Sequence, residues 1–211
     1  MRGRLDTHLF WGSFSPLSAL SGIGLVIMAS SRFSFALICS GALIWVYGLT
    51  ALIYSGAGRL MPARGKKAVL LFLSTFLNGM FMFFLSFFNP LMVLGMSFFL
   101  VLVTPCCLGS GLFDNAESVN QVDLVSRALF EALVLSGIIL AFALIREPLG
   151  MGTLSFPGGV QGIIEAFESG EGNGFIPVRI LSASAGGLLL LGYGISLYRY
   201  FREQSGVSED R

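Results

Sequence analysis

The sequence predicts an all-α integral membrane protein that forms a single membrane domain over residues 1–211. Apolar residues make up 55% of the chain and charged residues only 12%, whereas soluble domains carry about 25% charge. Six apolar stretches are long enough to cross a bilayer, for which a helix needs about 20 residues. This composition argues strongly against a soluble enzyme, and the formal charge of +1 gives no basic surface for nucleic acid.

The six predicted spans follow one another along the chain with mostly short connections. The first is too long for the apolar region of a signal peptide and is interrupted by glycines, so we expect it to remain in the mature protein. In chain order the spans are about Trp11–Ser30, Phe33–Tyr54, Ala68–Phe88, Leu91–Phe113, Ala128–Ile145 and Ile180–Phe201.

The distribution of positive charge predicts the orientation of these spans. If they alternate sides, ten Lys and Arg residues fall on the side of the termini, among them those of the Arg59–Lys67 loop, and three fall on the other side. Because cytoplasmic loops carry the excess of Lys and Arg, we expect both termini in the cytoplasm.

The longest connection runs from Glu147 to Pro177, and its sequence changes character along its length. Glycines and a proline make residues 150–159 rich in turns, and after them Val160, Ile163, Ile164 and Phe167 recur at helical spacing. The sequence is consistent either with a short amphipathic helix at the non-cytoplasmic interface or with a polar loop.

Internal symmetry divides the predicted spans into two halves of three. Ser15-Pro16-Leu17 opens the first span and Asn89-Pro90-Leu91 opens the fourth, which gives a first repeat at about 11–88 and a second at about 89–201. Two halves with an odd number of spans and a short connection must face opposite ways across the membrane. This is the inverted-repeat arrangement.

The first and fourth spans are also predicted to be broken helices. Gly22 and Gly24 interrupt the first span, and Thr104–Gly111 interrupts the fourth, where Pro105 removes a backbone donor. Broken helices in matching positions indicate a site near the midplane. The alternative for the glycines is that they only permit close helix packing.

Two thiols, Cys106 and Cys107, stand at the predicted break of the fourth span. They are either cofactor ligands, with Cys106 a possible iron ligand, or small buried side chains. An iron–sulfur cluster takes about four thiolates, so a second subunit would have to supply the others. The only histidine is His8, which excludes a His-based triad or a site with several histidines.

Three charged residues of the fifth span are further candidates, because ionisable groups inside a membrane are rare and often functional. Glu131 either carries an ion or pairs with Arg127 one turn earlier. Arg146 and Glu147 are expected to fix the end of the span and its charge balance. In the third span, Asn78 is predicted to make a hydrogen bond between helices.

Three motifs resemble the paired integral subunits of the Rnf and Nqr complexes, of the RnfA/RnfE and NqrD/NqrE type. Arg146-Glu147 followed by Gly150-Met151-Gly152-Thr153-Leu154 is similar to the Arg-Glu and Gly-x-Gly-Thr-Leu that follow that family's fifth span. Thr104-Pro105-Cys106 resembles its Thr-Asn-Cys, and Ala116-Glu117 its Arg-Ala-Glu. The order of elements agrees over roughly residues 11–200.

The resemblance implies a subunit of a redox-driven, ion-translocating electron transport complex in the bacterial inner membrane, moving sodium or protons. It implies a homologous partner subunit of inverted topology, other subunits of the complex and a shared two-iron, two-sulfur (2Fe–2S) cluster bound by cysteines of the first and fourth spans. The first-span cysteine has no counterpart here, because no cysteine precedes Cys39.

Two other functions are consistent with the same pattern. A transporter could bind a small solute or an ion at the broken helices without any redox centre. A related protein that has lost its cluster could act only as a scaffold for partner subunits.

Overall fold

The structure, a computed structural model, describes residues 20–58, 65–109, 121–158, 162–168 and 179–206. The described part of the chain is mainly helical and includes one pair of strands. Its elements are α1 (Leu20–Ala29), α2 (Phe33–Ala57), α3 (Lys66–Phe88), α4 (Pro90–Val101), α5 (Val103–Gly109), α6 (Gln121–Met151), β1 (Thr153–Pro157), β2 (Ile163–Glu168), a 3₁₀ helix (Arg179–Leu181) and α7 (Ser184–Gly206).

Four helical segments of the described chain are long and apolar enough to cross a membrane. They are Phe33–Ala57, Lys66–Phe88, Pro90–Gly109, which joins α4 and α5, and Val122–Met151. They correspond to the second, third, fourth and fifth predicted spans. A mainly helical protein with helices able to cross a membrane is therefore confirmed.

The first and last predicted spans are not found at that length within the described ranges. α1 begins at Leu20 and has 10 residues, and residues 11–19 of the predicted first span, including Ser15-Pro16-Leu17, lie outside the described residues. The last span starts with a 3₁₀ helix rather than as one helix from Ile180, and the apolar part of α7 ends at Leu197.

The segment after α6 is a β-hairpin, so both the amphipathic helix and the polar loop were wrong predictions, and the fold is not purely α. β1 and β2 pair antiparallel from Thr153 opposite Glu168 to Pro157 opposite Ile163. Gly162 has a φ of 87°, which a residue with a side chain rarely adopts. That glycine lets the chain turn back, and residues at helical spacing in the sequence extend instead along a strand.

The two predicted helix breaks have different outcomes. Gly22 and Gly24 lie inside the continuous helix α1, so the expected break in the first span is absent. The fourth span is interrupted at Leu102, between α4 and α5, because Pro105 cannot donate to the carbonyl of Val101. The interruption thus precedes the predicted break at Thr104–Gly111, whose described residues 104–109 are helical. Asn78 of α3 donates through Nδ2 to the carbonyl of Leu100 at 2.7 Å, which confirms the predicted hydrogen bond between helices.

The core is organised by α2 and α6, which pack along each other in antiparallel directions. Their register is marked by Phe33 beside Glu147 and by Ser136 Oγ donating to the carbonyl of Ser40 at 3.4 Å. Ala128, Ala132 and Ser136, each four residues apart, are buried on α6. Small side chains at this spacing let two helices approach closely in a bilayer.

The outer surface of α3 is lined by exposed phenylalanines. Phe72 is 75% exposed and Phe88 is 87% exposed. Such a surface would promote aggregation of a soluble protein, whereas lipid chains solvate it in a bilayer. The surface therefore agrees with the membrane placement that the helix lengths indicate.

Candidate functional site

The side chain of Arg146 is enclosed by backbone carbonyls from two other parts of the chain. Although it is charged, its exposure is 1%. Its Nε donates to the carbonyl of Leu181 at 2.8 Å, and one terminal nitrogen donates to the carbonyls of Ser182 and Ala183 at 3.0 and 2.9 Å. The other terminal nitrogen donates to the carbonyl of Ile27 and to Ser30 Oγ.

This arrangement uses all the donors of the guanidinium group, since an arginine has five N–H groups. The carbonyl of Ile27 belongs to the last turn of α1, where helix carbonyls have no partner within the helix and the dipole favours a cation. The 3₁₀ helix, the two residues that precede α7 and the hydroxyl of Ser30 supply the remaining acceptors. Arg146 therefore ties α1, α6 and the approach to α7 together.

Glu147 accepts a hydrogen bond at the start of α2. The residue preceding that helix, Arg32, gives no side-chain cap, and Glu147 Oε2 instead accepts a hydrogen bond from the backbone N–H of Phe33. Ser155 Oγ of β1 accepts from the N–H of Ser34 at 3.4 Å and donates to Ser34 Oγ at 3.2 Å. An anion at a helix N-terminus is stabilised by the unpaired N–H groups and by the dipole.

The side chains of Arg146 and Glu147 thus bind the C-terminal end of α1 and the N-terminal end of α2, which flank the turn between these helices. We call Arg146, Glu147 and the helix ends that they bind the Arg146–Glu147 joint. Both side chains are 1% exposed, and Glu147 Oε1 has no hydrogen-bond partner among the described residues. The sequence predicted that they fix the end of the fifth span, but α6 continues to Met151, and the helix ends that they bind are those of α1 and α2.

Cys106 and Cys107 lie in α5, and both are 0% exposed. Tyr47 of α2 donates its hydroxyl to the carbonyl of Cys106 at 2.9 Å and lies 3.7 Å from Cys106 Sγ. The thiols therefore face the interior of the helix bundle and pack against α2. This burial is consistent with both interpretations of the two cysteines, small packed side chains and cofactor ligands.

Glu131 of α6 belongs to the same region of the interior. Its side chain is partly buried, and it lies within electrostatic reach of Tyr47, Cys106 and Cys107. Arg127, which the sequence offered as its partner, is exposed on the same helix. The two predicted roles of Glu131, ion carriage and pairing with Arg127, stay predictions.

The predicted site residues fall into two regions rather than one. Phe33 marks the Arg146–Glu147 joint and Tyr47 marks the cysteine region, and the 14 residues between them on α2 extend about 21 Å. Gly24 has open space around it and joins neither region. Gly22 is buried in α1, and Pro105 contributes the helix interruption just before the thiols.

Sequence reasoning missed two residues that complete these regions, Tyr47 and Ser155. Tyr47 has 0% exposure although it carries a hydroxyl, and its apolar surroundings in the sequence gave no sign of its partner. Ser155 follows the Gly-x-Gly-Thr-Leu motif directly, and the register shift between Leu154 and Ser155 places it at a bulge. Bulges often redirect a side chain toward a functional contact.

The donors in α5 can be tested against a cluster shared with a partner subunit. Such a cluster takes about four thiolates, and this region supplies two adjacent ones that the chain itself covers completely. Within the described ranges no group of three or more His, Cys, Asp or Glu residues could hold a metal ion. The described residues of this chain therefore form no complete cluster site by themselves, and a cluster shared with a partner subunit stays a prediction.

No model of a known protein family matches the chain, and no curated protein matches it either. The geometry of the two regions therefore carries the functional argument.

Proposed function

We propose that the chain is a membrane subunit of a redox-driven, ion-translocating electron transport complex of the Rnf/Nqr type. The observation that carries the proposal is the Arg146–Glu147 joint. The segment on which the sequence resemblance is most specific, Arg146 to Leu154, contains the two side chains that bind the end of α1, the start of α2 and the residues just before α7. A motif that builds the fold in this way supports membership of a family that shares the fold.

The helix arrangement supports the proposed inverted repeats. In a division at residues 88 and 89, α2 is the second span of the first half, and α6 is the second span of the second half, after the span that α4 and α5 form together. These two helices pack against each other in antiparallel directions at the centre of the protein. Two corresponding helices of inverted repeats are expected to meet in this way at the repeat interface.

In the proposed orientation both termini are in the cytoplasm of a bacterial cell, and the inner membrane holds the chain. The Arg59–Lys67 loop is then cytoplasmic, and the Arg146–Glu147 joint and the hairpin lie at the opposite face. The cysteine region, about 21 Å from the joint along α2, lies within the bilayer. The proposed partners are a homologous subunit of inverted topology and the other subunits of the complex.

The burial of the thiols favours a second candidate, a subunit that organises such a complex without holding a cluster. Cys106 and Cys107 are covered by their own chain, so each can pack as a small apolar residue. In this version the chain contributes helices and the ion path, and partner subunits carry the electrons. Both candidates place the chain in the same complex.

The test uses inverted membrane vesicles from cells that lack the chain and from cells in which it is restored. Reduction of the complex by ferredoxin or NADH should drive sodium or proton uptake only in the restored vesicles. If vesicles without the chain keep both electron transfer and ion uptake, the proposal is contradicted. Restoration with an exposed-residue variant, Glu165→Gln on β2, serves as the positive control.

A second measurement separates the two candidates. The complex is purified without oxygen, and iron, acid-labile sulfide and the EPR spectrum of the reduced protein are compared for the natural chain and for Cys106→Ser. A cluster signal that disappears in the variant would support the cluster-bearing subunit. Full activity and an unchanged signal in a Cys106→Ser, Cys107→Ser double variant would support the organising subunit.

A further inference from the structure

The β-hairpin lies at the level where the described spans begin and end. The ring of Phe33, the first residue of α2, lies 5.4 Å from the ring of Phe156 of β1. β1 begins two residues after Met151, the last residue of α6. At the turn of the hairpin, a Cβ on Gly162 would lie 3.1 Å from the side chain of Asn89, which separates α3 from α4. The hairpin therefore lies across one end of the helix bundle.

The two faces of the hairpin have different surroundings. The register places Phe156 directly opposite Ile164, so these two side chains share one face of the sheet. Phe156 is 38% exposed and Ile164 is 51% exposed. On the other face, Ser155 is buried against Ser34 of α2, and Ile163 packs against the core. We call the face formed by Phe156 and Ile164 the outer face of the hairpin.

The outer face is apolar, which is the reverse of what contact with water favours. A sheet with one face in water normally places apolar side chains inward and polar side chains outward. Here a serine is buried, while a phenylalanine and an isoleucine point outward. Removing apolar surface from water gains about 25 cal/mol per Å². The outer face therefore indicates an apolar medium against it.

The outer face lies beside the lipid-facing surface of the helices. The hairpin turn at Gly162 reaches Asn89, and the residues on either side of Asn89 include Phe88, which is 87% exposed, and Leu91, which is 59% exposed. Both belong to spans that are long and apolar enough to cross a membrane. This continuity favours lipid, rather than another protein, as the apolar medium.

The edges of the hairpin exclude the hydrocarbon core as its location. In the described part of the chain the sheet has two strands, so each strand has one edge without a neighbouring strand. Unpaired backbone groups are costly in hydrocarbon because no water reaches them. Glu165 of β2 is exposed, and its carboxylate also requires water or headgroups. The boundary between lipid headgroups and acyl chains meets both requirements, since it is apolar on one side and hydrated on the other.

We propose that the β-hairpin is a lipid-contact element at the membrane interface, with Phe156 and Ile164 inserted among the acyl chains just below the headgroups. Glu165 and the strand edges then face headgroups and water. β1 and β2 contain no basic residue, so the contact depends on burial of apolar surface and not on anionic headgroups. The inference goes beyond the proposed redox complex and does not require it.

The test is site-directed spin labelling of the full chain, purified with the subunits that copurify and returned to vesicles of native lipids. Phe156→Cys and Ile164→Cys each carry a nitroxide, whose accessibility to oxygen and to a water-soluble nickel chelate is measured by EPR. Cys39, Cys106 and Cys107 are 0% exposed, and the natural chain treated in the same way gives the background. We expect high oxygen and low nickel accessibility, at a depth of about 5–10 Å into the boundary between headgroups and acyl chains.

Two control positions calibrate the measurement. Phe88→Cys, at an exposed position of α3, gives the values of a label that faces lipid. Glu165→Cys is the matched control on β2, and we expect the ratio of oxygen to nickel accessibility to be several times higher at position 164 than at position 165.

Two results would overturn the proposal. High nickel accessibility at positions 156 and 164 would show that water covers the outer face, and low accessibility to both reagents would show that a protein covers it. Vesicles enriched in anionic lipid should give the same depth as zwitterionic vesicles, and a depth that changes with lipid charge would contradict apolar burial as the cause. Because the two labelled positions are independent, either one decides the result if the other variant fails to fold.

Discussion

The Arg146–Glu147 joint and the cysteine region around Tyr47 hold buried polar groups in contrasting ways. At the joint, each charge meets a helix end of opposite polarity, the C-terminus of α1 for Arg146 and the N-terminus of α2 for Glu147. In the cysteine region, the phenol of Tyr47 donates to the carbonyl of Cys106, and the thiols of Cys106 and Cys107 are buried. The joint therefore ties several segments together through charged groups, whereas the Tyr47 hydrogen bond ties α2 to α5.

The comparison shows how buried polar residues acquire different roles from their partners. Five hydrogen bonds from one guanidinium group fix three chain segments and leave no donor for chemistry. The hydrogen bond of Tyr47 links α2 and α5 through a single hydroxyl. We therefore expect the joint to contribute more to stability than this hydrogen bond does.

The largest expected effect comes from Arg146→Met. The variant removes the donors of five carbonyl and hydroxyl acceptors in a buried place, so we expect the free energy of unfolding in detergent to fall by about 3–5 kcal/mol. The free energy of unfolding of Arg146→Lys should lie between those of the natural protein and the methionine variant, because a lysine keeps the charge but loses the planar fork. A methionine variant as stable as the natural protein would show that the joint does not hold the fold.

Gly187→Ala should break the same joint by crowding. A Cβ at this position would lie 3.0 Å from both Cζ and a terminal nitrogen of Arg146, so we expect a loss of about 1–3 kcal/mol in the free energy of unfolding. The matched control is Gly192→Ala in the same helix, where a Cβ meets nothing within 4 Å. Equal stability of the two variants, measured by denaturant titration, would count against the described packing of Arg146.

Glu147→Ala should weaken the start of α2. The backbone N–H of Phe33 loses its acceptor, which we expect to lower the free energy of unfolding by about 1–2 kcal/mol. Glu147→Gln keeps an acceptor oxygen and should lose about half as much. Hydrogen exchange of the first turn of α2 provides the local measurement, and unchanged protection in the alanine variant would contradict the capping role.

Tyr47→Phe should have the smallest effect and should concern the other region. Without the hydroxyl, the carbonyl of Cys106 loses a donor at 2.9 Å, and we expect a loss of about 1 kcal/mol in the free energy of unfolding. Tyr193→Phe is the control, because Tyr193 is 73% exposed. If Tyr47→Phe is as stable as Tyr193→Phe, the hydrogen bond of Tyr47 does not stabilise this region.

Much of the helical framework could be predicted from the sequence, because long apolar runs are a local property. The second, third and fifth predicted spans correspond to α2, α3 and α6. Pro105 predicted an interruption of the fourth span, which lies at Leu102 rather than within Thr104–Gly111. The predicted helix break at Gly22 and Gly24 was wrong, since glycine lowers helix stability by only about 1 kcal/mol per residue. Packing within a membrane easily overcomes that cost.

The hairpin was missed because helical spacing and strand pairing compete for the same residues. Ile163 and Ile164 fit an amphipathic helix by their spacing, yet they extend opposite Pro157 and Phe156 of β1. The pairing depends on a partner strand and on the turn at Gly162, and neither is visible in a local pattern. Burial of Ser155 beside Ser34 then fixes the hairpin against α2.

The sequence by itself determined that this is a membrane protein, that its helices are long and apolar, and that Cys106, Glu131, Arg146 and Glu147 are unusual residues within them. Only the tertiary structure decided what those residues do. Composition and periodicity act within one segment, whereas a charge takes its role from acceptors and donors that lie far along the chain. Arg146 binds the carbonyl of Ile27, 119 positions away, and no spacing rule in the sequence connects them.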